Sequence, residues 1–177
     1  MTCRLGLFAP LALLLLATAP AAAQQYGYAG LGGGVILPQG DAGDFLDDGW
    51  GLILFGRYTR ARSAVGGQVD FQYWSVPATS GSNDLDIFAS TLNLVLTFPQ
   101  RTDAKLKFYG IGGIGFYAVN GVVDRYPFGL NGGGGLELVF GNGRNALFAD
   151  ARFHNLFQDP QDTQHLSIMG GLKFRVR

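Results

Sequence analysis

The stretch Phe128–Phe140, FGLNGGGGLELVF, sets four consecutive glycines inside an apolar run that also carries a single glutamate. A flexible spacer, a phosphate-cradling loop and a strand between two media all compete for such a sequence. A phosphate loop needs a helix after its glycines, and the continuation LELVF alternates instead. Taken by parity, one face reads Phe128, Leu130, Gly132, Gly134, Leu136, Leu138, Phe140, and the other Gly129, Asn131, Gly133, Gly135, Glu137, Val139. The first is apolar with an aromatic at each end, as for a face meeting hydrocarbon between two interfacial girdles. The second is small and polar, suited to a narrow wet interior. Glycines let neighbouring backbones approach and a sheet curve tightly. The stretch reads as a strand.

Outward from it, period two persists along the chain. Strands are predicted at Tyr26–Leu37, Trp50–Arg60, Ala64–Val76, Asp86–Phe98, Lys105–Val119, Phe128–Phe140, Asn145–Phe157 and Gln164–Val176. Each holds about 11 to 15 residues, longer than the usual globular strand and matched to a tilted membrane strand. The connections alternate. Long polar segments (PQGDAGDFLDDG, PATSGSNDL, NGVVDRYP, QDPQDT) follow the odd strands, and tight turns (ARS, PQRTDA, GNGR) follow the even ones. Charge divides the same way. Asp41, Asp44, Asp47, Asp48, Asp84, Asp124, Asp159 and Asp162 stand with Arg125 in the long loops. Arg60, Arg62, Arg101, Lys105, Arg144, Arg175 and Arg177 gather with Asp103 at the short-turn end. Long loops at one end and short turns at the other are the habit of outer-membrane barrels.

Other strands divide as the sixth does. Val65, Val69, Phe71 and Tyr73 oppose Gln68, Asp70 and Gln72; Trp50, Leu52, Leu54 and Tyr58 oppose Ile53, Phe55 and Arg57. Leu106, Phe108, Ile114 and Phe116 oppose Lys107, Tyr109 and Tyr117. Leu147, Ala149, Ala151 and Phe153 oppose Phe148, Asp150, Arg152 and His154, and Leu166, Ile168, Leu172 and Phe174 oppose His165, Ser167, Met169, Lys173 and Arg175. The first strand, YGYAGLGGGVIL, is too rich in glycine for its faces to be assigned. The expected inward charges are Arg57, Asp70, Lys107, Glu137, Asp150, Arg152 and Lys173. In a soluble sandwich these would be core, where isolated charges cost several kcal/mol each. In a small barrel they pair and meet water. The expectation is therefore an all-β, eight-stranded antiparallel up-and-down transmembrane barrel whose lumen is filled by a charged network. An exported lipocalin-like barrel binding a small apolar ligand is the alternative, and it would reverse the faces.

The ends of the chain fix the compartment. MTCRLGLFAPLALLLLATAPAAAQQ has a basic start at Arg4, an apolar core from Leu5 to Ala17 and the small-residue site Ala21-Ala22-Ala23. This reads as a signal peptide over residues 1–23, cleaved before Gln24, with the barrel domain over 24–177. Cys3, the single cysteine, leaves with the peptide, so neither disulfides nor thiol chemistry are expected. Thirteen acidic residues balance thirteen basic ones, so nothing suggests nucleic acid as a partner and none is expected. No run after the leader approaches the roughly 18 apolar residues of a spanning helix.

Chemistry finds little support. His154 and His165 are the only histidines, both near the long-loop ends of their strands, and with Asp159 and Asp162 they lack any close metal-ligand spacing. Barrel-borne lipid A deacylases carry a serine two residues after a strand histidine; in FHNLF that place is Leu156. Ser167 does follow His165 at that distance, without the rest of the pattern. The acidic DAGDFLDDG lacks the spacing and terminal glutamate of a calcium loop. No catalytic residue, metal or cofactor is expected.

KLKFYGIGGIGFYAV, FGLNGGGGLELVF, LFADARFHNLF and LSIMGGLKFRVR resemble the repeated signature of OmpA-type and opacity-type outer-membrane β-barrels over essentially the whole mature chain. The resemblance implies an outer-membrane location, monomeric assembly, and a role in membrane integrity or adhesion, at most as a small gated pore. Its implied partners are outer-membrane lipids, lipopolysaccharide and an extracellular ligand met by the acidic loops. The family's inward acidic–basic pair on the seventh strand falls at Asp150 and Arg152, and its sixth-strand acid at Glu137. No peptidoglycan-binding domain is expected after the barrel. The last residue is Arg177 where the family has an aromatic one, with Phe174 the nearest.

Overall fold

The computed structural model describes residues 25–40, 43, 46–61, 63–79, 85–98, 104–120, 125–141, 143–157 and 162–176. The expected signal peptide lies outside them, as do Asp41, Asp44, Asp84, Asp124 and Asp159 of the long loops and Arg62, Arg101, Asp103 and Arg177 of the short-turn end. Eight strands follow in order: β1 (Gln25–Gln39), β2 (Gly49–Arg60), β3 (Val65–Val76), β4 (Leu85–Phe98), β5 (Leu106–Asn120), β6 (Phe128–Phe140), β7 (Asn145–Phe157) and β8 (Thr163–Arg175). Each pairs antiparallel with its successor, and β1 closes on β8 from Tyr28↔Arg175 to Gln39↔Gln164. Closure leaves no sheet edge, the condition for strands in hydrocarbon, where each unpaired backbone group costs several kcal/mol. No helix among the described residues is long and apolar enough to cross a membrane.

The sixth and seventh strands begin and end where alternation places them, and most other boundaries move by a residue. The largest departure is β1, which continues past Leu37 through Pro38 to Gln39. Turn chemistry explains the tight ends. Between β6 and β7, Gly141 and Gly143 take φ of 61° and 79°, the left-handed region that glycine enters without penalty. Arg144 N then donates to Gly141 O at 3.2 Å.

The two faces decide the medium. Phe71, Leu136 and Phe153 are 45%, 41% and 43% exposed on the outer wall, whereas Asp70, Glu137 and Arg152 are 0%, 1% and 1% exposed within. An outer surface made of Leu31, Leu52, Leu54, Leu92, Leu94, Ile114, Leu130 and Ile168 would be an insoluble patch in water. In a bilayer it is the matching surface. Tyr58, Phe98, Phe108, Phe140 and Phe174 ring the short-turn end; Trp50, Phe88, Phe116, Phe128 and Phe157 ring the other.

Strand β1 gains faces that its sequence withheld. Leu31 and Val35 point outward, which puts Gly30, Gly32, Gly34 and Ile36 inside. A Cβ on Gly30 would sit 2.2 Å from Phe55 Cζ, and one on Gly32 would sit 2.8 Å from Phe148 Cζ. Those two rings meet edge to face at 5.3 Å and fill the space in front of β1. Gly30 and Gly32 leave the inner face bare where rings from β2 and β7 occupy the lumen.

Candidate functional site

The lumen is the site, and period two builds it: every second residue of each strand projects inward. Its inner half, toward the short turns, is ionic. Arg57 on β2 reaches Glu137 on β6 at 2.5 Å, and Lys173 on β8 engages the other oxygen of the same carboxylate. Arg57 Nε donates to Gln68 Oε1 at 2.6 Å, and Gln68 Nε2 donates to Asp70 Oδ1 at 2.6 Å. Asp70 accepts Arg152 Nη1 at 2.5 Å, Asn93 Nδ2 at 2.8 Å and Thr91 Oγ1 at 3.1 Å. Arg152 also forks onto Asp150, at 3.2 Å through Nε and 2.7 Å through Nη2, and Tyr109 donates to Asp150 at 2.8 Å. The Arg57 guanidinium lies 4.7 Å from the Tyr109 ring centre. Three anions and three cations thus form one connected assembly. Charges this deep are tolerable because each is paired, and Asp70, Asp150, Arg152 and Arg57 make further hydrogen bonds within the assembly.

Of the seven expected inward charges, Arg57, Asp70, Glu137, Asp150, Arg152 and Lys173 meet in this assembly. Lys107 does not. It shares the inward parity and lies opposite Glu137 in the ladder, but it is half-buried at the mouth and forms no ion pair with a described residue. Glu137 is already held by Arg57 and Lys173, so its position in the ladder does not bring Lys107 into the set.

The outer half is aromatic. The His154 and His165 rings stack at 4.8 Å and 8°, with Trp74 edge-on to them at 4.9 and 4.4 Å. His154 Nδ1 lies 3.1 Å from Tyr117 Oη, and its Nε2 lies 3.2 Å from Ser167 Oγ. The sequence places Tyr117 on the inward face and the histidines near the long-loop ends of their strands, but it does not single out Trp74. The signal lay in the register of the seventh hairpin, which sets His154 directly opposite His165. Ser167 therefore pairs with the histidine on the neighbouring strand, not with the one two residues before it. Among the described residues no group of three or more metal-ligating side chains assembles.

Above the rings an apolar cap ends the lumen. Ile36, Val76, Ile87, Val119 and Leu156 are buried there, with Leu46 and Leu85 packed against them. The first and second long loops meet over it through the Leu46↔Ala78 bridge and Asp47 N donating to Pro77 O at 2.9 Å. A recess of about 10 Å³ among Ile36, Leu46, Val76, Leu85, Ile87 and His165 has room for about one water.

A closed cylinder of eight strands with an apolar wall and an ionic interior is the form of an outer-membrane barrel. The sequence model of the outer membrane protein beta-barrel domain matches residues 9–174. The chain belongs to this family. It is an outer-membrane barrel protein of Gram-negative type. Among solved structures it is similar to Neisserial surface protein A, with a TM-score of 0.71 and 13% identity over 84% of this chain and 96% of that one. Ail, the attachment invasion locus protein of Yersinia pestis, is similar with a TM-score of 0.50 and 16% identity over 86% of this chain and 99% of that one. The N-terminal barrel domain of Pseudomonas aeruginosa OprF gives 0.50 and 12% over 86% and 98%. Ail has also been seen in complex with the heparin analogue sucrose octasulfate. At these identities the shared property is the fold. No curated protein sequence matches the chain.

Proposed function

We propose that this protein is a structural and surface-interacting component of the outer membrane: a sealed barrel that reinforces the bilayer and presents acidic loops outward. The observation that carries this reading is the lumen, blocked twice along its axis. The ionic assembly from Arg57 to Lys173 crosses the inner half, and the Trp74–His154–His165 stack with the apolar cap fills the outer half. Tiers so filled support a sealed lumen, and opening an ion path would mean breaking buried ion pairs. Among the described residues His154 and Ser167 are arranged like a base and a nucleophile, and both are 0% exposed. A reacting group without access to substrate supports no hydrolytic role.

The surface role follows from charge. A polysulfated ligand of the kind bound by Ail suits a basic surface. Here the long loops carry Asp41, Asp44, Asp47, Asp48, Asp84, Asp124, Asp159 and Asp162 beside Arg125. Their complement is a cationic extracellular partner, or lipopolysaccharide phosphate bridged by divalent cations. Planar-bilayer recording tests the sealed barrel: the wild type should pass no steady current. A steady ohmic current from the wild type, altered by neutralising Glu137 or Arg152, would replace this reading with a pore.

A further inference from the structure

Four cationic side chains form an arc around the short-turn mouth of the barrel, Arg175 from the inward parity of β8. Lys105 precedes β5, Arg144 closes the β6–β7 turn, Arg175 ends β8 and Arg60 ends β2; all four are exposed. Ladder order carries the arc from β5 through β8 and β1 to β2. Backbone bonds fix its members. Val139 N donates to Lys105 O at 2.6 Å, and Arg175 N donates to Arg144 O at 2.7 Å, joining two arginines from different elements. The Arg175 guanidinium lies 3.9 Å from the Tyr26 ring centre, a cation–π contact that holds it at the mouth. Glu137, the acid at this end among the described residues, is enclosed and engaged by Arg57 and Lys173, so its carboxylate is not available to Arg60, Lys105 or Arg144.

Depth identifies what meets these charges. Tyr58, Phe108, Phe140 and Phe174 are exposed on the outer wall one to four residues farther into the membrane than Arg60, Lys105, Arg144 and Arg175. Aromatic side chains in such a band sit at the headgroup level. The cations beyond them therefore stand at phosphate depth. The long loops mark the opposite end as the outside, so this end meets the inner leaflet.

We propose that the arc is a binding surface for anionic phospholipid headgroups of the inner leaflet, with phosphate oxygens accepting hydrogen bonds from Arg60, Lys105, Arg144 and Arg175. A guanidinium fork matches phosphate geometry, and its attraction to a headgroup carrying net charge exceeds that to a zwitterion. With acids at the outer end and cations at the inner one, the same contacts fix the depth and direction of the barrel.

The test uses the mature chain folded into phosphatidylcholine vesicles, with spin-labelled phosphatidylglycerol or phosphatidylcholine as the probe. The fraction of motionally restricted label gives the association of each lipid. Phosphatidylglycerol should associate about fivefold more strongly, the attraction expected of basic residues near an anionic surface. The preference should fall toward parity in the Arg60→Gln/Lys105→Gln/Arg144→Gln/Arg175→Gln variant and in wild type at high salt. Neutralising Asp47 and Asp48 at the other end should leave it unchanged. Equal association in wild type overturns the proposal, as does a preference that survives the four neutralisations. A preference removed only through Asp47 and Asp48 overturns it too. If the fourfold variant does not show the heat-dependent gel migration of a folded barrel, the salt titration on wild type decides: a preference indifferent to salt rejects the arc.

Discussion

Gly132 and Gly135 lie three positions apart in one strand and answer to different forces. A Cβ on Gly135 would stand 2.6 Å from Asp150 Cβ and 2.7 Å from Tyr109 Cζ, inside the ionic assembly. One on Gly132, facing lipid, would meet nothing closer than Ile111 O at 4.0 Å. Gly135→Ala should therefore destabilise the barrel by about 1–3 kcal/mol through overpacking, with Gly132→Ala near neutral, as denaturant unfolding in vesicles would show. The same contrast separates two polar neighbours on β3. Asp70 accepts bonds from Arg152, Asn93, Thr91 and Gln68, so Asp70→Ala should cost about 3–5 kcal/mol by stranding buried donors. The Gln72 amide bonds to no described residue. Gln72→Leu should be neutral or stabilise by about 1 kcal/mol in the same assay. Parity alone places all four residues on their faces. It does not distinguish Asp70 from Gln72, because that depends on which side chains arrive from β4 and β7.

At the scale of elements, the β7–β8 hairpin shows what alternation leaves open. Parity turns His154 and His165 inward, and the ladder register makes them partners, but their stacking under Trp74 requires β3 to lie across the lumen. The ring pair should show a coupling of about 0.5–1.5 kcal/mol in a double-mutant cycle of His154→Ala and His165→Ala, measured by equilibrium unfolding. Additive single effects would mean that the stack contributes nothing beyond burial. Strand β1 teaches the same lesson. Its glycines look uninformative in sequence because the reason for them, the rings of Phe55 and Phe148, belongs to two other strands. Lys107 is the converse case: its parity is inward and its ladder partner is Glu137, yet the competing cations Arg57 and Lys173 hold that carboxylate.

The whole molecule is an inversion of a soluble protein, greasy outside and ionic within. Leu54, at the middle of β2 and 56% exposed, should tolerate apolar exchange, whereas Leu54→Arg should lower folding stability in vesicles by about 2–4 kcal/mol. A loss near zero would place Leu54 in water and overturn the assignment of the outer wall to lipid. At this scale, too, charge that cancels in the total is separated along the axis, with aspartates in the long loops and arginines at the short turns. That separation is invisible in the net charge and plain in the order of the connections.

The sequence by itself determined the architecture: eight amphipathic strands, their alternating long and short connections, and which side of each strand meets hydrocarbon, β1 and β4 apart. It could do so because transfer of side chains between hydrocarbon and an enclosed polar interior is a local property repeated at period two. Only the tertiary structure decided how the lumen is organised: the joining of six charges into one assembly without Lys107, the Trp74–histidine stack and the apolar cap. Those contacts run across the barrel between strands far apart in sequence. They depend on the curvature and register of the closed sheet, which no single strand encodes.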